Sequence, residues 1–466
     1  MRAHWGEVAR RLPNVQGERP LPATDDASQI MDQLRTTWSH CLEHAELSDV
    51  GRQRVNNQDS FVVTLADNQT DFERRGHLFL VADGMGAHAA GELASKMAAD
   101  IISLVYRKAP NRLPTEAILA AMINANHQIH TRGQASPDFH GMGTTTTTLL
   151  MLPCGAMLAH VGDSRAYRWR KGRVEQLTFD HSLVWEMRAT GQFANNELPG
   201  YISRNIITRS LGPHPAVKVD LEGPHPIENG DTFLLCSDGL SNQVQDEEIG
   251  LVLGCLPPEE AVRVLVDLAN LRGGPDNITV LAAKVLGPQV AQASQPDEAG
   301  HELTVDVRPI HPAIWTVIGA AFVLAVGLLG LGHPLYAVLS LAAGGAAAVA
   351  AMVHRYLGVS RRLSWQRRRF GRGPYVARDC SPSPALLDRL DETLQQLEKA
   401  VADERCPIDR DAFAAFLQRA ATARQAGNLG EAARESLRAI LFVMDQLRGQ
   451  DPSSDDSGVI GLEMAD

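Results

Sequence analysis

The sequence predicts an α+β fold in its first part, then a pair of membrane-spanning helices, then a small all-α region. Three observations carry this expectation. Before residue 286, short β-branched runs outnumber helical stretches and arrive in groups, which suits antiparallel sheets with packed helices better than a strict βαβ repeat. Residues 313–353 contain no Asp, Glu, Lys or Arg. Beyond residue 379, apolar side chains recur every three or four positions.

The chain begins with a polar, proline-bearing stretch, read as a flexible lead-in over 1–35 and lacking an apolar run of signal-peptide length. The α+β domain is expected over 36–286. Its strands include HLFLVAD at 77–83, TTTTTLLML at 144–152, AMLAHVGD at 156–163, DTFLLCSD at 231–238 and NITVLAAKV at 277–285. Helices are expected over 91–107, 115–131 (Ile118, Met122, Ile123, Ala125 and Ile129 share a face) and 258–272. A polar linker follows at 287–312.

Gly332-His333-Pro334 divides the uncharged stretch into 313–331 and 335–353, each 19 residues. That length crosses a hydrocarbon core of about 30 Å. The basic segment 354–378 holds seven arginines between 355 and 372 and is placed in the cytoplasm by the positive-inside rule. Two spans then return the first domain to the same side. The expected location is the inner membrane, multi-pass, with the first domain and the C-terminal helices cytoplasmic. Residues 379–450 read as three helices, built on Leu387, Leu390, Leu394, Leu397 and Val401, then Phe413, Phe416, Leu417 and Ala420, then Leu437, Ile440, Leu441, Met444 and Leu447. A polar tail, 451–466, is expected to be disordered.

Composition excludes several chemistries. Forty-four basic against fifty-five acidic side chains leave −11, which argues against a nucleic-acid partner. The six cysteines (41, 154, 236, 255, 380, 406) form no CxxC pair, so neither a zinc site nor a disulfide framework is indicated. No Gly-Lys dipeptide occurs, which removes the P-loop.

What remains is a set of acids at strand ends. Asp83-Gly84 and Asp238-Gly239 each end a buried-type strand; alone, either pair is most simply a hairpin turn. Asp59 and Asp276 each precede a strand, and Asp163 follows one. An all-oxygen cluster selects hard cations such as Mg²⁺ or Mn²⁺. A pair of such ions about 3.5–4 Å apart can acidify a water for attack on phosphorus. Arg54 supplies a guanidinium able to grip two phosphate oxygens.

Seven segments, in order, carry a resemblance: GRQRVNNQDS, VADGMGAHAAGELAS, GMGTTTT, HVGDSRAYRW, LTFDHS, CSDGLSNQV and GGPDNITV. From about Ser48 to Val285 the chain resembles the metal-dependent protein phosphatases, the type 2C serine/threonine phosphatases, in their bacterial branch. The resemblance implies a four-layer α/β/β/α sandwich with a two-metal site, loaded with Mn²⁺ or Mg²⁺, at one end. It implies that Asp83 bridges both ions, that Asp238 and Asp276 complete one site, and that Asp59 and the Gly84 carbonyl support the other. Arg54 matches the phosphate-binding arginine. Bacterial members often hold a third ion, for which Asp138 and Asp180 match alongside Asp238. Residues 181–205 match a flap beside the cleft. His88 is a candidate general acid, with helix capping as its plainer role. Gln58 stands where an acid is frequent, and Ala87 where glycine is usual.

The implied activity is hydrolysis of phosphoserine and phosphothreonine by a hydroxide bridging the two ions, at the membrane. Its partners would be phosphorylated targets of a serine/threonine kinase, and the kinase itself. The alternative is a silent scaffold on the same fold, which should have lost at least one of Asp59, Asp83, Asp238 or Asp276; all four are present.

Overall fold

A computed structural model describes residues 41–86, 89–109, 112–190, 206–287, 290, 302–304, 312–342, 344–345, 362–364, 370–402 and 408–448. The lead-in, most of the linker, His88, residues 191–205 of the flap and the tail lie outside the described residues.

In chain order the first part runs β1 (Leu42–Asp49), β2 (Asp59–Thr64), α1 (Gln69–Arg75), β3 (His77–Met85), α2 (Ala89–Arg107) and α3 (Pro114–Ala135). There follow β4 (Gly143–Thr144), β5 (Thr146–Leu152), β6 (Gly155–Val161), β7 (Arg165–Arg170), β8 (Arg173–Gln176) and α4 (Leu183–Ala189). It closes with β9 (Asp220–His225), β10 (Thr232–Cys236), α5 (Asp238–Ser241), α6 (Asp246–Cys255), α7 (Pro258–Leu271) and β11 (Ile278–Val285). Beyond it lie β12 (Glu302–Thr304), α8 (Pro312–Gly330), β13 (Arg362–Ser364), β14 (Val376–Asp379), α9 (Pro384–Ala402), α10 (Arg410–Gln425) and α11 (Leu429–Arg448).

Twelve of the strands form two six-stranded sheets, and β12 pairs with β13 apart from them. One has the order β1-β11-β10-β7-β8-β14; the other runs β2-β3-β5-β6-β9, with β4 paired to β3. The pairings within both are antiparallel.

Strand alternation divides the core. On β3, Phe79 and Val81 face the other sheet, meeting Phe233, Leu235 and Leu281. Leu78 and Leu80 face the opposite way, onto Ile102, Ile118 and Met122 of α2 and α3. On β10, Leu234 and Cys236 turn outward onto Val252 and Leu265 of α6 and α7. Both faces of these strands are covered, which is why HLFLVAD and DTFLLC read as unbroken apolar runs. The result is the expected α/β/β/α sandwich.

The C-terminal helices pack onto this sandwich. β14 pairs with β8, from Val376 opposite Gln176 to Asp379 opposite Arg173. Leu387 and Leu390 of α9 and Leu437 and Ile440 of α11 lie in the same apolar cluster as α6 and α7. Each fully buried Leu or Ile there stabilises by roughly 1.5–3 kcal/mol. Arg438 grips Glu260 at 2.9 and 3.2 Å, and Arg448 pairs with Asp267. Helical periodicity tells that a face is apolar, not what covers it.

The expected membrane-spanning pair, 313–331 and 335–353, is not supported: among the described residues no helix is long and apolar enough to cross a membrane. What is described is α8, a turn at 331–332, and a second helical run over 334–342 that folds back, with the Ser340 hydroxyl donating to the Ala321 carbonyl at 2.8 Å. Gly332 and Pro334 cut the apolar stretch, and residues 343 and 346–353 lie outside the described residues.

Candidate metal centre

The strand register brings the first two acids together. Asp59 opens β2 directly opposite Asp83 of β3, so both carboxyls leave the same end of the ladder. Like charges directly opposite are destabilising, and a strand pair keeps them only if something else gains. Asp238 begins α5 right after β10, and Asp276 sits in the turn before β11. Neither Asp-Gly pair is a hairpin turn. Asp83-Gly84 lies inside β3, where a Cβ on Gly84 would come within 2.1 Å of the Gly91 carbonyl oxygen. A Cβ on Gly239 would come within 2.0 Å of the Asn277 carbonyl oxygen. These glycines allow backbones to meet around the acids.

The local hydrogen bonds hold these acids in place. The Ser237 hydroxyl donates to Asp59 Oδ2 at 2.8 Å and accepts from the Thr279 amide at 2.9 Å. Thr145 Oγ1 accepts from the Asp83 amide at 3.0 Å, and Thr144 donates to the Asp83 carbonyl at 2.9 Å. Asn277 donates to the Val50 and Asn56 carbonyls and accepts from the Gln58 amide, tying the Arg54 loop to the Asp276 turn. The threonine run leading into β5 thus also fixes Asp83. Sequence reasoning assigned no role to Ser237 or Asn277; their adjacency to Asp238 and Asp276 was the available signal.

The charges are strained. Burial pushes the Asp59 carboxyl up to about 7, against the hydrogen bonds from Thr279 and Ser237. Asp83 is raised well above the ordinary carboxylate range by burial and by Asp59, Asp238, Asp163 and Asp276 around it. Burial and then Asp276 raise Asp238. Asp163 joins the cluster as well: burial and the charge of Asp238 push it up to about 8. Such clustering of shifted acids is typical of functional sites.

The donor set fits hard divalent cations. Oδ1 of Asp59, of Asp163 and of Asp238 are buried with no hydrogen-bond partner among the described residues. No group of three or more His, Cys, Asp or Glu among the described residues is drawn together closely enough to form a metal site by itself. These observations agree if the ions keep part of their own water shell, as Mg²⁺ in particular does, because carboxylates then act at longer range.

The remaining candidates are placed as follows. Arg54 is half-exposed at the rim and donates to Asp276 Oδ2 at 2.8 Å. Gln58 reaches toward the Gly86 carbonyl at 3.5 Å. Asp180 is buried with both oxygens engaged, Oδ2 by Arg165 at 2.8 Å and Oδ1 by Gln176 at 2.7 Å. Asp138 is exposed in a single helical turn, Pro137–Phe139. The third-ion acids therefore differ sharply in how free their carboxylates are.

Comparison with known proteins decides the family. The Protein phosphatase 2C family profile matches residues 51–268. A putative protein phosphatase 2C-type of Streptococcus pyogenes is 38% identical over 237 residues, spanning 50% of this chain and 93% of that protein. The chain belongs to the protein phosphatase 2C family. It is thus a protein serine/threonine phosphatase. The phosphatase is also 35% identical over 262 residues to the serine/threonine protein phosphatase PstP of Mycobacterium tuberculosis, spanning 56% of this chain and 48% of that protein. Among solved structures, M. tuberculosis PstP aligns with a TM-score of 0.46 at 35% identity, covering 53% of this chain and 100% of that one. The catalytic domain of PstP in complex with two manganese ions aligns with a TM-score of 0.45 at 34% identity, covering 53% and 99%.

Proposed function

We propose that the acidic end of the sandwich removes phosphate from phosphoserine and phosphothreonine in proteins, with two Mn²⁺ or Mg²⁺ ions as cofactors. Asp59, Asp83, the Gly84 carbonyl, Asp238 and Asp276 would hold the ions. The single observation that carries this is the group of buried carboxyl oxygens with no partner among the described residues, in a cluster of mutually repelling acids. When bound, the ions supply Lewis acidity and an acidified water for attack on phosphorus. The chain supplies the rest. Ser237 and Thr145 hold Asp59 and Asp83 in fixed orientation, so little reorganisation is needed during reaction. Arg54 stands at the rim, where a phosphate can take over its contact from Asp276. The phosphoproteins made by a serine/threonine kinase, and that kinase, are the substrate candidates. Asp138 and Asp180 remain proposed for a third ion.

The test is phosphate release from a phosphothreonine peptide by the full chain, with Mn²⁺, with EDTA, and with Asp238→Asn. Hydrolysis that requires both the metal and Asp238 supports the proposal. Undiminished hydrolysis in EDTA would sink it.

We infer further that residues 313–353 tether the enzyme to the inner membrane, with the phosphatase domain in the cytoplasm. Val323, Leu324, Val326, Leu329, Leu331, Leu335, Val338 and Leu339 are all more than half exposed, a density of apolar surface that water disfavours. The arginines at 355–372 set the sidedness. Recovery of the full chain in the soluble fraction after carbonate washing would remove this part alone.

A further inference from the structure

Residues 370–379 form a strap that joins the free edges of both sheets. Phe370 exchanges backbone hydrogen bonds with Gly223 of β9, at 2.6 and 3.1 Å, while Val376–Asp379 pairs with β8. Between these anchors the Gly373 amide donates to Glu222 Oε2 at 3.1 Å, and the Tyr375 hydroxyl donates to Glu222 Oε1. Glu222 is buried, and Tyr375 is half-buried with its amide bonded to the Gln176 carbonyl at 2.9 Å. The strap is thereby fixed in one register.

Its tyrosine faces the turn that carries Asp180. The Tyr375 and Phe179 rings meet edge to face at 5.4 Å between centroids. Phe179 in turn meets Trp185 of α4 at 5.5 Å, and the Arg165 guanidinium lies over the Trp185 ring at 5.7 Å. Arg165 holds Asp180. The Phe179 carbonyl accepts from His160 Nε2 at 3.0 Å, and His181 accepts from the Gly162 amide at 2.9 Å while bonded to Asp220. Gly162 immediately precedes Asp163 of the acidic cluster. Two short routes therefore lead from the strap to the centre, one through Arg165 and one through His181.

We propose that Tyr375 is a positioning residue, through which the strap sets the geometry of the Phe179–Ser182 turn and of α4 beside the metal centre. This rests on the phosphatase reading for its kinetic consequence, but not for its structural one. In the sequence the strap lies between the apolar stretch and the C-terminal helices.

The test uses the full chain with Mn²⁺, comparing wild type, Tyr375→Ala and Tyr375→Phe. Hydrogen exchange read by mass spectrometry should quicken about tenfold at 177–190 in Tyr375→Ala, as expected from losing one aromatic pair and one hydrogen bond, while β5 and β6 keep their protection. The Mn²⁺ concentration giving half-maximal rate should rise, and kcat/KM on the phosphothreonine peptide should fall by about the same factor. Tyr375→Phe keeps the ring against Phe179 and should recover most of both. Unchanged exchange at 177–190, or a rise spread evenly over β5 and β6, would overturn the proposal. So would a Tyr375→Phe variant indistinguishable from Tyr375→Ala. An inert wild type would instead count against the phosphatase reading, and the exchange comparison would still decide the role of the strap.

Discussion

On the outer face of α6 and α7, Glu248 is buried against Arg272 and Asp267 against Arg448. At the acidic end the charges of Asp59, Asp83, Asp163 and Asp238 bear on one another, and among the described residues none of them forms an ion pair. Both regions pay desolvation for carboxylates. Only the first has arginines of its own to set against that cost, and even there burial pushes Asp267 up to about 7. A buried acid with its own arginine reports how segments are held together, here α11 on α7. A group of buried acids without one reports a site kept ready for an external cation.

Removing one side of this comparison outright should have the largest effect. A chain ending at residue 290 loses β14 and the helices that bury Leu387, Leu390, Leu437 and Ile440 against α6 and α7. Those four side chains alone represent about 6–12 kcal/mol of apolar burial. The shortened protein should melt far below the full chain and scatter light; equal melting temperatures would show the C-terminal helices to be a detachable module.

The other side is sharpened by Asp83→Asn. Turnover should fall at least about a thousandfold, as with loss of a central electrostatic group. Melting in EDTA should stay level or rise, because a repelling charge is gone. A fall in both would mean that Asp83 is a structural acid like Asp267.

Arg448→Ala tests the paired face by a single residue. It leaves Asp267 buried without its partner and should cost about 2–3 kcal/mol, the low end for a broken buried pair because Arg448 is partly exposed. Specific activity of the folded protein should persist.

The smallest effect is in the pH dependence. Asp59 and Asp163 titrate near 7 and 8 in the fold, against 3.8 ordinarily, so the folded protein holds protons that the unfolded chain has released. Their contribution is therefore complete at low pH and is lost as pH rises. Between pH 6.5 and 8 the metal-free protein should lose on the order of 1–2 kcal/mol. Buried His77 and His160, held down at about 4 and 3 by burial, act oppositely and only below their ordinary 6.5. Saturating Mn²⁺ should flatten the alkaline slope; a metal-free protein equally stable at both pH values would place the acids in water.

Much of the sandwich was legible because its strands declare themselves. β3 and β10 are apolar on both faces, and α2, α3 and α7 carry a clear 3.6-residue stripe. The four acids proposed to hold the ions were legible from their strand ends and from seven ordered segments. The membrane hairpin read most plainly of all, yet the described helices do not bear it out, since an uncharged run shows what a segment avoids and not how far one helix continues.

By itself, then, the sequence determined the alternation that builds two sheets and the positions of the acids along them, because both follow from neighbours a few residues apart. Tertiary structure alone decided that Asp163 joins the cluster, that Gly84 and Gly239 serve backbone contact, and that Asp180 is already engaged by Arg165. It alone seated the C-terminal strap and helices on the phosphatase. Each of those depends on which surfaces meet in space or on how one buried side chain shares its partners, and no local pattern carries that information.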